Sequence, residues 1–125
     1  MSTLKLPLLY VGTKGERTIN TLFDCSANMS YISPVYLENL TEARPLGRKR
    51  KITIACGTQF IEVKEVVCLD FYINDILLSD EFFIVSEPDP SVVIGAATIR
   101  KWRIKLNFEA DQVEVDPKVA IMQIK

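Results

Sequence analysis

The sequence predicts a mostly β domain with many short strands and two short helices. Short apolar stretches recur along the chain, and Gly, Pro, Asn and Asp residues separate them. Two segments, after Ser33 and after Gly95, are the candidates for helices. The 125 residues suffice for one domain that buries a core without metals or disulfides. We expect that domain to span residues 1–125, with a core at about 4–115 and an apolar tail at 116–125.

Composition and charge exclude several function classes. The net charge of −1 gives no field that would attract nucleic acid or a membrane surface, so neither is an expected partner. The basic run Arg48-Lys49-Arg50-Lys51 is interpreted as a solvated surface. Lys5 and Pro7 interrupt any signal-peptide core, and three cysteines without paired spacing indicate reduced thiols, so we expect an intracellular, cytoplasmic protein. The absence of histidine excludes Ser/His and Cys/His pairs, and we expect no metal and no cofactor.

The first half of the chain is predicted to hold three strands and one helix. Gly12 and Gly15 favour a hairpin turn, and Ser33-Pro34 is typical of a capped helix start. The predicted elements are strands at Leu4–Val11, Arg17–Phe23 and Met29–Ile32, and a helix from Pro34 to about Leu40.

The second half is predicted to hold a long hairpin, a second strand pair, a buried strand, a helix and a closing hairpin. Pro45 and Gly47 indicate a loop before them, and Ser79–Glu81 indicates a kink. A break is expected at Pro88–Pro90. The predicted elements are strands Lys51–Cys56 and Gln59–Leu69 with a small tip at Gly57-Thr58, strands Phe71–Ile73 and Ile76–Val85, strand Val92–Ile94, helix Ala96–Trp102, strands Ile104–Phe108 and Val113–Val115, and the tail Val119–Ile124.

One stretch concentrates the candidate chemistry. An apolar run delivers Asp24 into a loop of small residues, Cys25, Ser26, Ala27 and Asn28. An aspartate in a turn often bonds the backbone two residues on, so Asp24 alone does not indicate catalysis. The plan of strand, loop, strand and helix occurs at 22–40 and again at 82–102. Asp24 lies in the first copy, and Gly95 lies at the strand-to-helix junction of the second.

With Asp24-Cys25-Ser26-Ala27, Val92-Val93-Ile94-Gly95 and the segment Ile104–Phe108, the chain resembles the retropepsin family of aspartic proteases over about residues 4–115. The resemblance implies a single-lobe, closed β-barrel with two short helices and a flap hairpin. The hairpin that ends at Val115 is more similar to retrotransposon and cellular relatives than to the minimal viral enzymes.

The resemblance implies a homodimeric endopeptidase. Asp24 of each subunit would form a pair of aspartates, and this pair would activate a water molecule that hydrolyses a peptide or polyprotein. It further implies that Cys56, Gly57 and Thr58 form the flap that closes over substrate, and that Ile94-Gly95 is the second family motif. Terminal segments would form an intersubunit sheet, from residues 2–6 with either 104–108 or 119–124. The alternative is a catalytically impaired module for dimerisation or peptide binding.

In the family pattern, the aspartate is followed by Thr or Ser and then by Gly, and two residues of this chain depart from it. Cys25 replaces the hydroxyl residue, and it is interpreted as a small buried filler or, alternatively, as a redox-sensitive thiol. Ser26 replaces Gly, at a cost of about 1–2 kcal/mol if the position requires a positive φ. Trp102, Tyr31 and Tyr36 are predicted core residues, although a tyrosine near the aspartate pair could donate to substrate.

Overall fold

Nine β-strands dominate the computed structural model, which describes residues 3–54, 59–86 and 91–121. One α-helix, α1, and two short 3-10 helices, Pro34–Tyr36 and Pro117–Ala120, are the helical elements in those ranges. The strands and helix are β1 (Leu4–Val11), β2 (Glu16–Phe23), β3 (Tyr31–Ile32), β4 (Arg44–Ile54), β5 (Gln59–Ile73), β6 (Ile76–Ile84), β7 (Val92–Ile94), α1 (Ala96–Lys101), β8 (Lys105–Asn107) and β9 (Gln112–Glu114).

Six strands close into a barrel in the order β1-β2-β7-β3-β6-β5, and pairing of β5 with β1 completes the circle. The β2–β7 and β3–β6 pairs are parallel, and the other pairs in the barrel are antiparallel. Closure leaves few free strand edges, which would otherwise invite pairing with other chains. Strand β4 lies outside the circle, paired with the first part of β5, and β8 and β9 form a separate hairpin.

The barrel interior is built on three aromatic side chains. Tyr10, Phe71 and Phe82 are fully buried, and their ring centroids lie 5.9 Å apart in each pair. The Tyr10 hydroxyl forms a 2.6 Å hydrogen bond with Thr21 Oγ1, which is also buried. Burial raises the pKa of the Tyr10 phenol, and the Thr21 bond opposes that rise. Trp102 joins this core, as predicted, and its Nε1 donates to the Ser79 carbonyl at 2.9 Å.

A second apolar cluster lies between the β4–β5 hairpin and the barrel, formed by Ile52, Val63, Val66, Phe83 and Val85. Strand β5 is continuous, so the predicted break between Leu69 and Phe71 is wrong. The predicted loop at Pro45 and Gly47 is also wrong, since both residues lie within β4. They fit there because β4 is the edge strand of the sheet and its pairing with β5 is irregular between Pro45 and Arg50.

Two other predicted features differ from the structure. Residues 79–81 pair one for one with β5, so β6 has no kink in its register there. The helix after Ser33 is a single 3-10 turn, because the chain reverses through Asn39 at φ 61°. Ser33 Oγ caps that turn by accepting from Val35 N at 3.4 Å, as the sequence predicted for its start. Within the predicted apolar tail, Pro117–Ala120 forms a 3-10 helix, and residues 122–124 lie outside the described ranges.

The basic run at residues 48–51 is exposed on β4. Lys49 Nζ lies 3.5 Å from a Glu62 carboxylate oxygen on β5. This agrees with its interpretation as a solvated surface. In the described part of the chain, no helix is long and apolar enough to cross a membrane.

Candidate active-site loop

Strands β2 and β7 bring Asp24 to the end of the barrel. They run parallel, with Leu22 opposite Val93 and Phe23 opposite Ile94, and both Phe23 and Ile94 are fully buried. The next residue, Asp24, donates its backbone N–H to the Ile94 carbonyl at 3.1 Å. The backbone of Asp24 is therefore fixed by the barrel, and its half-buried carboxyl group lies where the strand ends.

The Asp24 carboxyl group is held through one of its two oxygens. Ser26 donates twice to Oδ1, from its backbone N–H at 2.9 Å and from its hydroxyl at 2.5 Å. The Ala27 N–H donates to the Asp24 carbonyl at 3.1 Å and closes the turn. Among the residues that the structure describes, none donates a hydrogen bond to Oδ2. The loop thus restrains one carboxylate oxygen by two hydrogen bonds and leaves the other open, without a donor among the described residues.

The loop is bound to the start of α1 by backbone and side-chain hydrogen bonds. Ala96 N donates to the Ala27 carbonyl at 2.8 Å, and Ala97 N donates to the Asn28 carbonyl at 3.2 Å. The buried hydroxyls of Ser30 and Thr98 share a 2.5 Å hydrogen bond. The loop and the helix therefore form one hydrogen-bonded unit.

Gly95 is required by the close approach of this loop. A Cβ atom added at Gly95 would lie 2.6 Å from both the carbonyl carbon and the oxygen of Met29, and 2.9 Å from the Ala27 oxygen. Its N–H also donates to Ser30 Oγ at 3.0 Å. Any side chain would push the loop away from the helix and move Asp24 with it.

Cys25 points away from the barrel interior. Its side chain is exposed, so its interpretation as a buried filler is wrong. It lines a cavity of about 470 Å³ with Ile99 and Ile104, together with three cationic residues, Arg100, Arg103 and Lys105. These cations are distant from Cys25 in sequence, and no sequence signal connected them with it. The redox alternative stays a prediction.

Ser26 and Tyr31 complete the surroundings of the carboxylate. Ser26 does not adopt a positive φ, so the strain considered for a side chain at this position does not arise. Tyr31 is half-buried beside the second apolar cluster, and Phe83 lies opposite it on β6. Burial raises the pKa of the Tyr31 phenol, and the negative charge of Asp24 raises it further. Tyr31 is thus close enough to Asp24 for their charges to interact.

Comparison with known proteins shows similarity in structure but not in sequence. No protein-family model matches the sequence, and no curated protein is similar to it in sequence. Among solved structures, the chain is similar to the crystal structure of the retroviral protease-like domain of Ddi1 from Leishmania major. The TM-score is 0.64 at 13% sequence identity, over 93% of this chain and 90% of that chain. The chain has a retropepsin-like fold. The predicted fold class, a mostly β closed barrel, is confirmed.

Within the retropepsin-like fold, the structure brings together the two motifs that the sequence singled out. Residues 24–28 and the pair Ile94-Gly95 lie side by side, joined by the hydrogen bonds described above. The predicted flap residues Cys56, Gly57 and Thr58 lie outside the described ranges. Within those ranges, no group of three or more Cys, Asp or Glu side chains is placed to hold a metal ion.

Proposed function

We propose that this chain is an aspartic endopeptidase that acts as a homodimer, with Asp24 of each protomer supplying half of the catalytic pair. The observation that carries the proposal is the Asp24 carboxylate, restrained at Oδ1 and open at Oδ2, at the end of two buried parallel strands. Such a group is rigid in position yet accessible, which general acid–base chemistry requires.

The second carboxylate has to come from another copy of the chain. The equivalent junction at the end of β7 carries Gly95, which has no functional group. A two-fold axis beside the loop would place one Asp24 opposite its copy. The exposed Cys25 and the half-buried Ile99 lie on this side of the loop and supply apolar surface for such a contact.

Two facing carboxyl groups share one proton, because like charges a few ångströms apart do not both ionise readily. The ionised member takes a proton from water as the water oxygen attacks the scissile carbonyl carbon. The protonated member donates its proton to the carbonyl oxygen. Collapse of the resulting tetrahedral diol, with proton transfer to the leaving nitrogen, releases the two peptide products and needs no cofactor.

The substrate class is a peptide or polyprotein segment in extended form. Strands β4 and β5 form the two arms of a hairpin next to the second apolar cluster, which Tyr31 and Met29 border. We propose that the hairpin closes over the bound segment and that this cluster contacts its apolar side chains. An extended backbone suits such a cleft because it presents the scissile bond without local structure.

The purified chain, incubated with a mixed peptide library, tests the proposal through Asp24→Asn. This variant removes the acid–base group while keeping the shape of the side chain, so kcat/KM should fall by about 10³-fold or more. Asp70→Asn, at an exposed position on β5, is the matched control and should keep wild-type activity.

Mixing tests the shared site directly. If each dimer needs two Asp24 carboxylates, a fourfold excess of Asp24→Asn over wild type should lower the activity about fivefold by forming mixed dimers. Equal activity of wild type and Asp24→Asn would contradict the enzymatic proposal. Activity that is insensitive to mixing would contradict the shared site.

A second candidate function is a dimerisation or peptide-binding module without hydrolysis. The observation that favours it is Cys25, because a thiol is a weaker hydrogen-bonding group than the hydroxyl that retropepsins carry after the aspartate. This candidate predicts saturable peptide binding and a dimer in sedimentation, with no cleavage by wild type. Cleavage that Asp24→Asn abolishes would reject it.

A further inference from the structure

We propose that the Ser26 hydroxyl is a positioning residue for the reaction, holding Asp24 Oδ1 in both protonation states of the catalytic pair. The inference rests on the proposed function and concerns the residue that departs from the glycine of the family pattern.

Ser26 supplies two contacts of different chemistry to the same oxygen. Its backbone N–H, 2.9 Å from Oδ1, donates in every state, because an amide nitrogen carries a fixed proton. Its hydroxyl, 2.5 Å from Oδ1, donates to an ionised carboxylate and equally to the carbonyl-type oxygen that Oδ1 becomes when the proton lies on Oδ2. The hydroxyl therefore keeps its hydrogen bond as the shared proton arrives and leaves.

The contact has a consequence for the other oxygen. With Oδ1 tied to Ser26 twice, rotation of the carboxyl group about its bond to Cβ is restricted. Oδ2, which has no donor among the described residues, is then kept in one orientation, and we assign the water and the shared proton to it. A shared-proton mechanism depends on this orientation, since a small displacement of a reacting group lowers the rate strongly.

The hydroxyl is not needed to form the turn. The backbone bond from Ser26 N to Oδ1 and the bond from Ala27 N to the Asp24 carbonyl already close it. Since Ser26 does not adopt a positive φ, alanine is compatible with the same backbone. A variant without the hydroxyl should therefore fold with the loop intact, which separates positioning from folding.

The experiment compares Ser26→Ala, Ser26→Thr and the control Ser86→Ala, an exposed serine after β6, in the 125-residue chain. With one peptide that wild type cleaves, Ser26→Ala should lower kcat about tenfold and leave KM within about twofold, the size expected for one charge-assisted hydrogen bond. Ser26→Thr keeps a hydroxyl and should stay within about threefold of wild type. Wild-type kcat in Ser26→Ala, or equal losses in the Ala and Thr variants, would overturn the inference.

Binding of a statine-type peptide inhibitor gives a readout that does not need turnover. Its hydroxyl occupies the position of the attacking water, so calorimetry should give an affinity about tenfold weaker for Ser26→Ala and near wild type for Ser26→Thr. Weaker binding by Ser26→Ala alone, without hydrolysis by wild type, would support positioning while overturning the proposed hydrolysis. A wild type that neither cleaves nor binds the inhibitor would overturn both, and wild-type kcat in Ser26→Ala would overturn the inference alone.

Discussion

The ends of β2 and β7 lie side by side, but the residue that follows β2 carries a carboxyl group whereas the residue that follows β7 has no space for a side chain. Each strand ends on a buried apolar residue at the same end of the barrel, where a turn follows β2 and, after Gly95, helix α1 follows β7. After β2 comes Asp24, half-buried, with an oxygen open to its surroundings; after β7 comes Gly95, buried, with no room for a single carbon atom. One junction carries the proposed catalytic carboxylate and the other fixes its position, so Gly95 restricts the sequence as strongly as the proposed role of Asp24 does.

Replacing Gly95 should give the largest effect on stability. Gly95→Ala places Cβ against the backbone of Met29 and Ala27, which have no side-chain freedom to yield, and should lower the free energy of unfolding by about 3 kcal/mol. Gly47→Ala is the matched control, because an added Cβ there meets nothing within 4 Å. Urea denaturation followed by circular dichroism measures both. Equal stability of the two variants would show that the loop moves freely away from β7. Gly95 would then not be required at the end of β7, and the difference drawn between the two strand ends would be wrong.

Ser30→Ala should have the next largest effect, about 2 kcal/mol. It deprives two buried groups of their partner, the Gly95 N–H and the Thr98 hydroxyl. The same denaturation measurement applied to Ser30→Ala, Thr98→Val and the double variant gives the coupling energy. The double variant should lose less than the sum of the single losses, because both single changes break the same bond. Strict additivity would show that loop and helix are not joined through this pair.

The smallest effect at neutral pH is expected on the side of β2, where Tyr10 bonds Thr21. Tyr10→Phe should cost about 1 kcal/mol at pH 7, the value of one hydrogen bond. Its signature lies at high pH. Because burial raises the pKa of folded Tyr10, folded and unfolded chains are both protonated below the ordinary value of 10.0, and stability there is unaffected.

Above that pH the unfolded chain releases the proton while the folded chain keeps it, so stability falls as pH rises. Tyr10→Phe should fall less steeply than wild type between about pH 9 and pH 11, as measured by urea denaturation across that range. The half-buried Tyr31, whose pKa is also raised, adds a loss of stability that wild type and Tyr10→Phe share. If the free energy of unfolding changed with pH equally in wild type and Tyr10→Phe, the Tyr10 phenol would not lose its proton on unfolding. The buried hydrogen bond from Tyr10 to Thr21 on β2 would then be contradicted.

Local sequence patterns predicted the junctions well, because each depends on residues close together in the chain. The apolar run before Asp24 and the run Val92-Val93-Ile94-Gly95 both mark buried strands that end abruptly. The early start of β4 was not predictable, since Pro45 and Gly47 usually end strands and are tolerated only through an irregularity in pairing with β5. Whether a strand can pair irregularly depends on its partner.

The sequence singled out the residues of the candidate loop, but it did not predict their contacts. Cys25 reads as apolar and small, and only the direction of the loop decides that it is exposed. Ser26 was interpreted as a source of strain, whereas its hydroxyl bonds the carboxylate, because its backbone does not take the conformation that would penalise a side chain. The cations Arg100, Arg103 and Lys105 reach the neighbourhood of Cys25 only when α1 packs beside the loop.

The chain contains a single tryptophan, and its position gives it a practical use. Trp102 ends α1, packs into the barrel core and bonds the Ser79 carbonyl on β6. Its indole emission therefore reports on one place, the seam between the helix after Gly95 and the barrel. A local detachment of that helix would change the wavelength of emission before the barrel itself unfolds. Intrinsic fluorescence can thus distinguish detachment of the helix that supports the Asp24 loop from loss of the whole fold, without any label.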